Sequence, residues 1–183
     1  QKPTGYNQIN LLQKVKFMPH KDWDLNLGFI YSTTSDFPRF DRLYRKRDAE
    51  LRSAEWYYGP QEWFMGNFKI NKKGHGALYD KAQMTTAYQF FEESRHNRDF
   101  GEDWLYNTKE NVDAYSVNFD FEKTFEESRL FYGAEYVFNK VNSTGFTENI
   151  LTEEQNITAS RYPDGSTWQS IAAYTTYQWK IQK

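Results

Sequence analysis

Trp23-Asp24-Leu25-Asn26-Leu27-Gly28-Phe29-Ile30-Tyr31-Ser32 alternates large apolar residues with small or polar ones, Ile30 excepted. Successive side chains of an extended chain point to opposite faces, so Trp23, Leu25, Leu27, Phe29 and Tyr31 share one face and Asp24, Asn26, Gly28 and Ser32 the other. The stretch reads as a strand with a single apolar face. Upstream, Ile9-Asn10-Leu11 and Val15-Lys16-Phe17 alternate in the same way, with Leu12 and Gln13 breaking the phase, and Pro19 to Asp22 supply a turn.

Downstream the alternation stops from Ser35 to about Gln61, a charged and aromatic stretch expected to be a long loop. Phe64, Phe68 and Ile70 then alternate with Met65, Asn67, Lys69 and Asn71, and after a turn through Lys72 to Gly76 the same pattern carries Ala82, Met84, Thr86, Tyr88 and Phe90. A second insertion is expected over roughly Ser94 to Val112. Tyr115, Val117, Phe119 and Phe121 follow, then a short turn from Thr124 to Ser128, then Leu130, Tyr132, Ala134, Tyr136 and Phe138. A third insertion is expected from about Val141 to Thr167, before Ile171, Ala173, Tyr177, Trp179 and Ile181. The reading is an all-β antiparallel meander of about seven strands. Its connections go short, long, short, long, and each apolar stripe is long enough for a tilted strand to cross a hydrocarbon core.

Composition agrees. The chain has 183 residues, suggesting one domain, and is 38% hydrophobic yet 19% aromatic, with 15 Phe, 14 Tyr and 6 Trp. Aromatic residues favour strands and form the girdles of membrane barrels. No Cys is present, so a disulfide framework, a thiolate nucleophile and a Cys-ligated zinc site are excluded; 23 Lys+Arg against 25 Asp+Glu gives no general attraction to nucleic acid. No apolar run is long enough for a transmembrane helix, and Gln1 opens no charged-then-apolar leader. The second face carries Lys14, Lys16, Asp24, Lys69, Asp120 and Glu135, too polar for a dry core. About seven strands close no barrel wide enough for such a lumen, so a piece of something larger is expected.

Several runs resemble the TonB-dependent outer-membrane receptors of Gram-negative bacteria. Tyr31-Ser32-Thr33-Thr34-Ser35-Asp36-Phe37-Pro38-Arg39-Phe40-Asp41-Arg42-Leu43, followed by Ala54-Glu55-Trp56-Tyr57-Tyr58-Gly59-Pro60-Gln61, is similar to a barrel strand running into its extracellular loop there. So are Glu93-Ser94-Arg95-His96-Asn97-Arg98-Asp99-Phe100 leading to Asn111-Val112-Asp113-Ala114-Tyr115-Ser116-Val117-Asn118, and Arg161-Tyr162-Pro163-Asp164-Gly165-Ser166-Thr167 with Ile171-Ala172-Ala173-Tyr174. The resemblance implies a 22-stranded transmembrane barrel with short periplasmic turns and long extracellular loops, located in the outer membrane. It also implies an N-terminal plug through which TonB energises uptake of a scarce nutrient: a ferric siderophore, haem, cobalamin or glycan. Residues 1–183 are then a single segment of the barrel domain, without plug or TonB-contact motif. That segment is expected to be no enzyme, to hold no cofactor and no metal, and to oligomerise when isolated.

The candidate substrate-binding residues are Arg39, Arg42, Arg45, Trp56, Tyr57, Arg95, Arg98 and Trp104. Arg39, Arg42, Arg45, Lys46 and Arg47 stand against a single Asp41 and suit an anionic ligand or lipopolysaccharide phosphates. The plainer reading is a solvated short helix, because Leu43, Leu51, Ala54 and Tyr58 recur at helical spacing. Arg95 and Arg98 suit a planar oxygen anion such as a ferric chelate, or salt bridges to Glu93, Glu102 or Asp103. Trp56, Tyr57, Tyr58 and Trp104 suit stacking on a sugar or aromatic chelate, or a girdle at the membrane interface. Asp22, Asp24, Asn26 and Gly28 miss the spacing of a calcium loop, with Thr33 where its bidentate Glu belongs. His20, His75 and His96 are isolated, each in or beside an expected turn. Adjacent glutamates such as Glu92-Glu93 point opposite ways on a strand and cannot flank one bond. A different class of reading, a soluble all-β carbohydrate-binding module, requires Leu25, Leu27, Phe29, Phe68, Phe119 and Phe121 to be buried between two sheets. A small complete barrel of about eight strands requires closure.

Overall fold

The structure is a computed structural model that describes residues 5–181. Its elements in order are β1 (Gln8–His20), β2 (Trp23–Thr34), β3 (Phe37–Pro38), α1 (Phe40–Leu43), β4 (Lys46–Arg47), β5 (Glu50–Leu51), β6 (Ser53–Tyr58), β7 (Glu62–Lys73), β8 (Lys81–Asp99), β9 (Trp104–Thr124), β10 (Ser128–Asn149), β11 (Gln155–Ile157) and β12 (Ser166–Trp179). The seven long strands pair antiparallel in chain order, β1-β2-β7-β8-β9-β10-β12. Short β11 pairs with the end of β10, β6 with the end of β8, and β3 with β6. The expected all-β antiparallel meander is what forms.

Register lines the apolar residues of neighbouring strands into rows. Leu27, Phe68, Thr86, Val117, Tyr136 and Ile171 are successive partners across β2 to β12, and so are Leu25, Ile70, Met84, Phe119, Ala134 and Ala173. Rings gather at the two ends of this band. At one end Tyr88 packs on Tyr115 at 5.0 Å and Tyr115 on Phe138 at 6.4 Å; at the other Phe121 stacks on Tyr132 at 5.0 Å. Leu12, opposite Ile30, does not break the phase as expected: β1 and β2 pair without a shift from Gln8 to Phe17, and Leu12 falls on the polar face.

That polar face carries Lys16 paired with Asp24 at 2.6 Å, and Asn118 donating to Glu135 at 2.6 Å. Glycine has a specific task at Gly133, where a Cβ would lie 2.4 Å from the Phe119 carbonyl oxygen and 2.5 Å from the Tyr174 ring. The bare position lets Tyr174 lie across β10 and donate its hydroxyl to Asp120 at 2.7 Å. Open hollows of about 490 and 640 Å³ lie on this face, one beside Ser32, Trp63 and Gln89, the other beside Lys14, Asn67 and Thr85. The polar face is therefore the one recessed by hollows, and is concave in that sense.

Among the described residues no hydrophobic side chain is buried; the few buried ones with polar side chains are Ser53, Ser94, Asn107, Glu110, Ser143 and Thr147. Leu27, Phe29 and Phe119 are exposed, and the stripe meets no second sheet among the described residues. The two-sheet core that the carbohydrate-module reading requires is not formed there.

The expected insertions are mostly strand. Ser94 to Val112 continues β8 and β9, leaving only the connection at 100–103, and β10 runs on past Val141 to Asn149. The stretch from Ser35 to Gln61 holds β3, α1, the β4–β5 hairpin and β6; helix is confined to Phe40–Leu43, with Leu51 and Ala54 in strands. These segments hide from periodicity because neither of their faces is consistently apolar. His96, expected beside a turn, lies within β8.

Candidate functional site

β8, β9 and β10 are the longest strands, and their ends outrun the apolar band. On the apolar face Phe90 is followed by Glu92, Ser94, His96 and Arg98, and on β9, read in the same direction, Tyr115 gives way to Asp113, Asn111, Lys109 and Asn107. Where β7 stops at Glu62, opposite Glu92, β6 takes over the edge of β8, pairing Tyr58 with Arg95 and Trp56 with Asn97. The chain turns from β6 into β7 at Gly59, whose φ of +110° no side chain tolerates easily; a Cβ there would approach the Asp36 Cα to 3.0 Å. Buried Ser94 clamps the turn: its hydroxyl donates to the Gly59 carbonyl at 2.7 Å, and the Gly59 N–H to the Ser94 carbonyl at 3.0 Å.

Strand alternation in β6 puts Trp56 and Tyr58 on the polar face with Arg95, and Tyr57 on the other, stacked on His96 at 4.5 Å. Trp56 and Tyr58 meet edge to face at 5.0 Å. Arg39, Arg42 and Arg95 bring their guanidiniums over the Trp56 ring at 5.3, 5.6 and 5.7 Å, and Arg39 and Arg95 also lie over Tyr58 at 5.5 and 5.4 Å. Cation–π attraction of this kind contributes about 0.5–2 kcal/mol per pair, more as water is excluded. Arg39, the N-cap of the one-turn helix α1, and Arg42 within it are three residues apart, and both converge on the Trp56 ring. The Arg39 N–H donates to the Trp56 carbonyl at 2.9 Å, tying helix to strand. Asp41 accepts two hydrogen bonds from Arg39 at 2.7 and 2.8 Å and lies 3.7 Å from the Arg42 Nε. The Arg39 hydrogen bonds hold the Asp41 carboxyl below the usual carboxylate range.

Beside this cluster Glu93 and Glu110 are cross-strand partners. Like charges placed so repel. Here Arg161 approaches Glu93 at 3.8 Å, Gln61 donates to Glu93 at 2.6 Å, and the Ser143 hydroxyl lies 3.5 Å from Glu110. Arg161 arrives on a strap, residues 158–164, laid over the polar face of β10. Thr158 donates to the Gly145 carbonyl at 2.9 Å, Tyr162 to the Ser143 hydroxyl at 3.2 Å, and the Ser143 N–H to Asp164 at 2.9 Å. A Cβ at Gly145 would sit 2.4 Å from the Ala159 carbonyl oxygen. Four buried polar atoms in this region have no hydrogen-bond partner among the described residues: the Nε atoms of Arg42 and Arg95, Thr108 Oγ1 and Glu110 Oε2.

Of the residues singled out from the sequence, the structure brings together Arg39, Arg42, Trp56 and Arg95. Tyr57 lies on the opposite face. Arg98 does too, paired with Glu55 at 2.6 Å and donating to the Glu102 carbonyl at 2.9 Å. Arg45 is exposed beyond α1, and Trp104 opens β9 opposite Asn149. Tyr58, Asp41, Glu110 and Arg161 complete the cluster. Reading 53–58 as a strand would have paired Tyr58 with Trp56 by alternation; nothing local announces Arg161.

No family profile matches this chain, and no curated protein matches it. Among solved structures it is similar to "Copper transporter OprC", with a TM-score of 0.73 at 10% identity over 97% of this chain. The match covers 26% of that chain, so these residues span about a quarter of its length. Likeness at this identity establishes the fold: an antiparallel wall of the kind found as one part of a much larger transport protein.

Proposed function

We propose that this chain is a segment, about a third, of the barrel wall of a TonB-dependent outer-membrane receptor. The receptor captures a small-molecule nutrient or metal chelate at the long-loop end and imports it with energy delivered through a plug outside these residues. The observation that carries the reading is the two-faced sheet: continuous apolar rows, ring-flanked and unburied, back a concave polar face. An apolar face of this extent is costly in water and at home in lipid. The edges of β1 and β12, unpaired among the described residues, suit pairing with the remaining strands of the barrel, and their exposure makes the isolated segment prone to self-association. The arginine–aromatic cluster on the concave face, beyond the apolar band, is where a ligand entering from outside first meets fixed side chains. Its orientation toward the lumen sets it away from lipopolysaccharide.

The test is surface labelling of the intact protein in whole cells. The native chain has no Cys, so Glu50→Cys in the β4–β5 hairpin and Glu126→Cys in the β9–β10 turn each report one site. A membrane-impermeant maleimide is expected to label the first on intact cells and the second only after the outer membrane is opened. Equal labelling of both on intact cells, or of neither, contradicts the reading.

A further inference from the structure

The ion pairs around Trp56 leave positive charge over. Three guanidiniums share one indole, while among the described residues Asp41 is the sole carboxylate within 4.0 Å of any of them, at 2.7 Å from Arg39 and 3.7 Å from Arg42. Gathering like charges on one ring is unfavourable unless an anion joins them. A guanidinium lying over a ring spends its face on that contact, leaving its N–H edge for oxygens, which it grips in pairs. Two such donors, the Nε atoms of Arg42 and Arg95, are buried without a hydrogen bond among the described residues, Asp41 approaching that of Arg42 only to 3.7 Å. A buried donor left unmade is costly, so its presence points to a missing acceptor. Asp41 already shows the expected binding mode in miniature, its two oxygens taking the two N–H groups of Arg39.

Resting on the receptor reading above, we propose that Arg42 and Arg95, steadied by Trp56 and Tyr58, bind a ligand that carries at least two negative charges on carboxylate or phosphate oxygens, and that Asp41 competes with this ligand for the arginines. Asp41 is thus an internal counter-ion that keeps the empty site from collapsing or capturing stray monoanions, at the expense of affinity. The site lies on the concave face, so a soluble ligand reaches it and a lipid headgroup does not.

Isothermal titration of the intact protein in detergent with citrate, and separately with inorganic pyrophosphate, tests this and separates the two oxyanion chemistries. Arg42→Gln and Arg95→Gln are each expected to weaken binding at least tenfold. Arg95→Lys, which keeps the charge and loses the fork, is expected to weaken it severalfold, and it serves where Arg95→Gln fails to fold. Asp41→Asn is expected to tighten binding about fivefold, an outcome that a merely structural Asp41 does not give. Arg129→Gln, at the opposite end of β10, is the control and leaves affinity unchanged. Absence of binding by either anion to folded wild-type protein overturns the proposal, as does weaker binding in Asp41→Asn or equal loss in Arg129→Gln. If Glu50→Cys and Glu126→Cys label as expected while neither anion binds, this inference alone fails; if the labelling fails, the receptor reading fails with it.

Discussion

Arginine placed at Val117 and at Ser116 probes the two faces of the wall one residue apart. Val117 lies in the middle apolar row, between Thr86 and Tyr136, whereas Ser116 lies on the concave face between Ala87 and Val137. Val117 is two rows from Phe121 at one end of the band and two from Asp113 at the other, close to the bilayer midplane on this reading. A lipid-facing arginine at that depth costs about 2–4 kcal/mol. At Ser116 the same side chain enters a water-filled lumen, and the cost is about 0.5 kcal/mol or less. The folding equilibrium of Val117→Arg is therefore expected to fall roughly 30- to 700-fold, while that of Ser116→Arg barely moves. Urea titration of the intact protein folded into lipid vesicles reads both. Equal costs at the two positions, or a larger cost at Ser116, would refute the assignment of faces.

Three further outcomes follow from particular contacts. Gly133→Ala is expected to cost about 1–3 kcal/mol by overpacking, because the methyl meets the Phe119 carbonyl and the Tyr174 ring; in a Tyr174→Ala background the cost shrinks but does not vanish, and a double-mutant cycle measures the difference. Gly145→Val is expected to lift the strap at 158–164 from β10 and expose its backbone, read as faster amide exchange or protease nicking there with the barrel intact. In the β7–β8 turn, Asp80 accepts the Thr124 N–H at 2.8 Å and a hydrogen bond from Lys123 at 3.0 Å, and these hold its carboxyl below the usual range. A depressed folded value means stability that is present above the unfolded carboxylate value of about 3.9 and lost as pH falls through the lower folded one. Asp80→Asn is expected to flatten that acid limb in thermal unfolding followed from pH 7 to pH 2.

How far the wall can be read from its residues depends on contrast between faces. From Trp23 to Ser32, Ala82 to Phe90 and Leu130 to Phe138 one face carries mostly apolar residues and the other mostly polar or small ones, Ile30, Phe131 and Val137 excepted, and period two can be read. Past Phe90 the same strand presents Glu92, Ser94 and His96 on one face and Glu93, Arg95 and Asn97 on the other, both polar, so the alternation disappears although the hydrogen-bond ladder continues to Asn97. Leu12 misled for the converse reason: an apolar side chain on the polar face looks like a phase break when the pairing is regular. Within the cluster, Arg39, Arg42 and Trp56 were visible as a basic and aromatic run. Tyr58 is visible as a stacking ring, but the helical spacing of 43–58 hides the strand alternation that sets it beside Trp56 and turns Tyr57 away. Arg161 approaches Glu93 through a strap anchored on Ser143 and Gly145, a long-range contact with no local signature.

The most direct test of the central claim is the accessibility of spin labels placed one at a time from Thr108 to Phe121 on β9 of the intact protein in bilayers. Labels at Tyr115, Val117, Phe119 and Phe121 are expected to see lipid-soluble oxygen and those at Ala114, Ser116, Asn118 and Asp120 a water-soluble paramagnet, with the alternation ending near Asp113, beyond which oxygen contact is lost on both faces. Apolar positions shielded from both reagents would mean a protein core, and would contradict the lipid-facing wall.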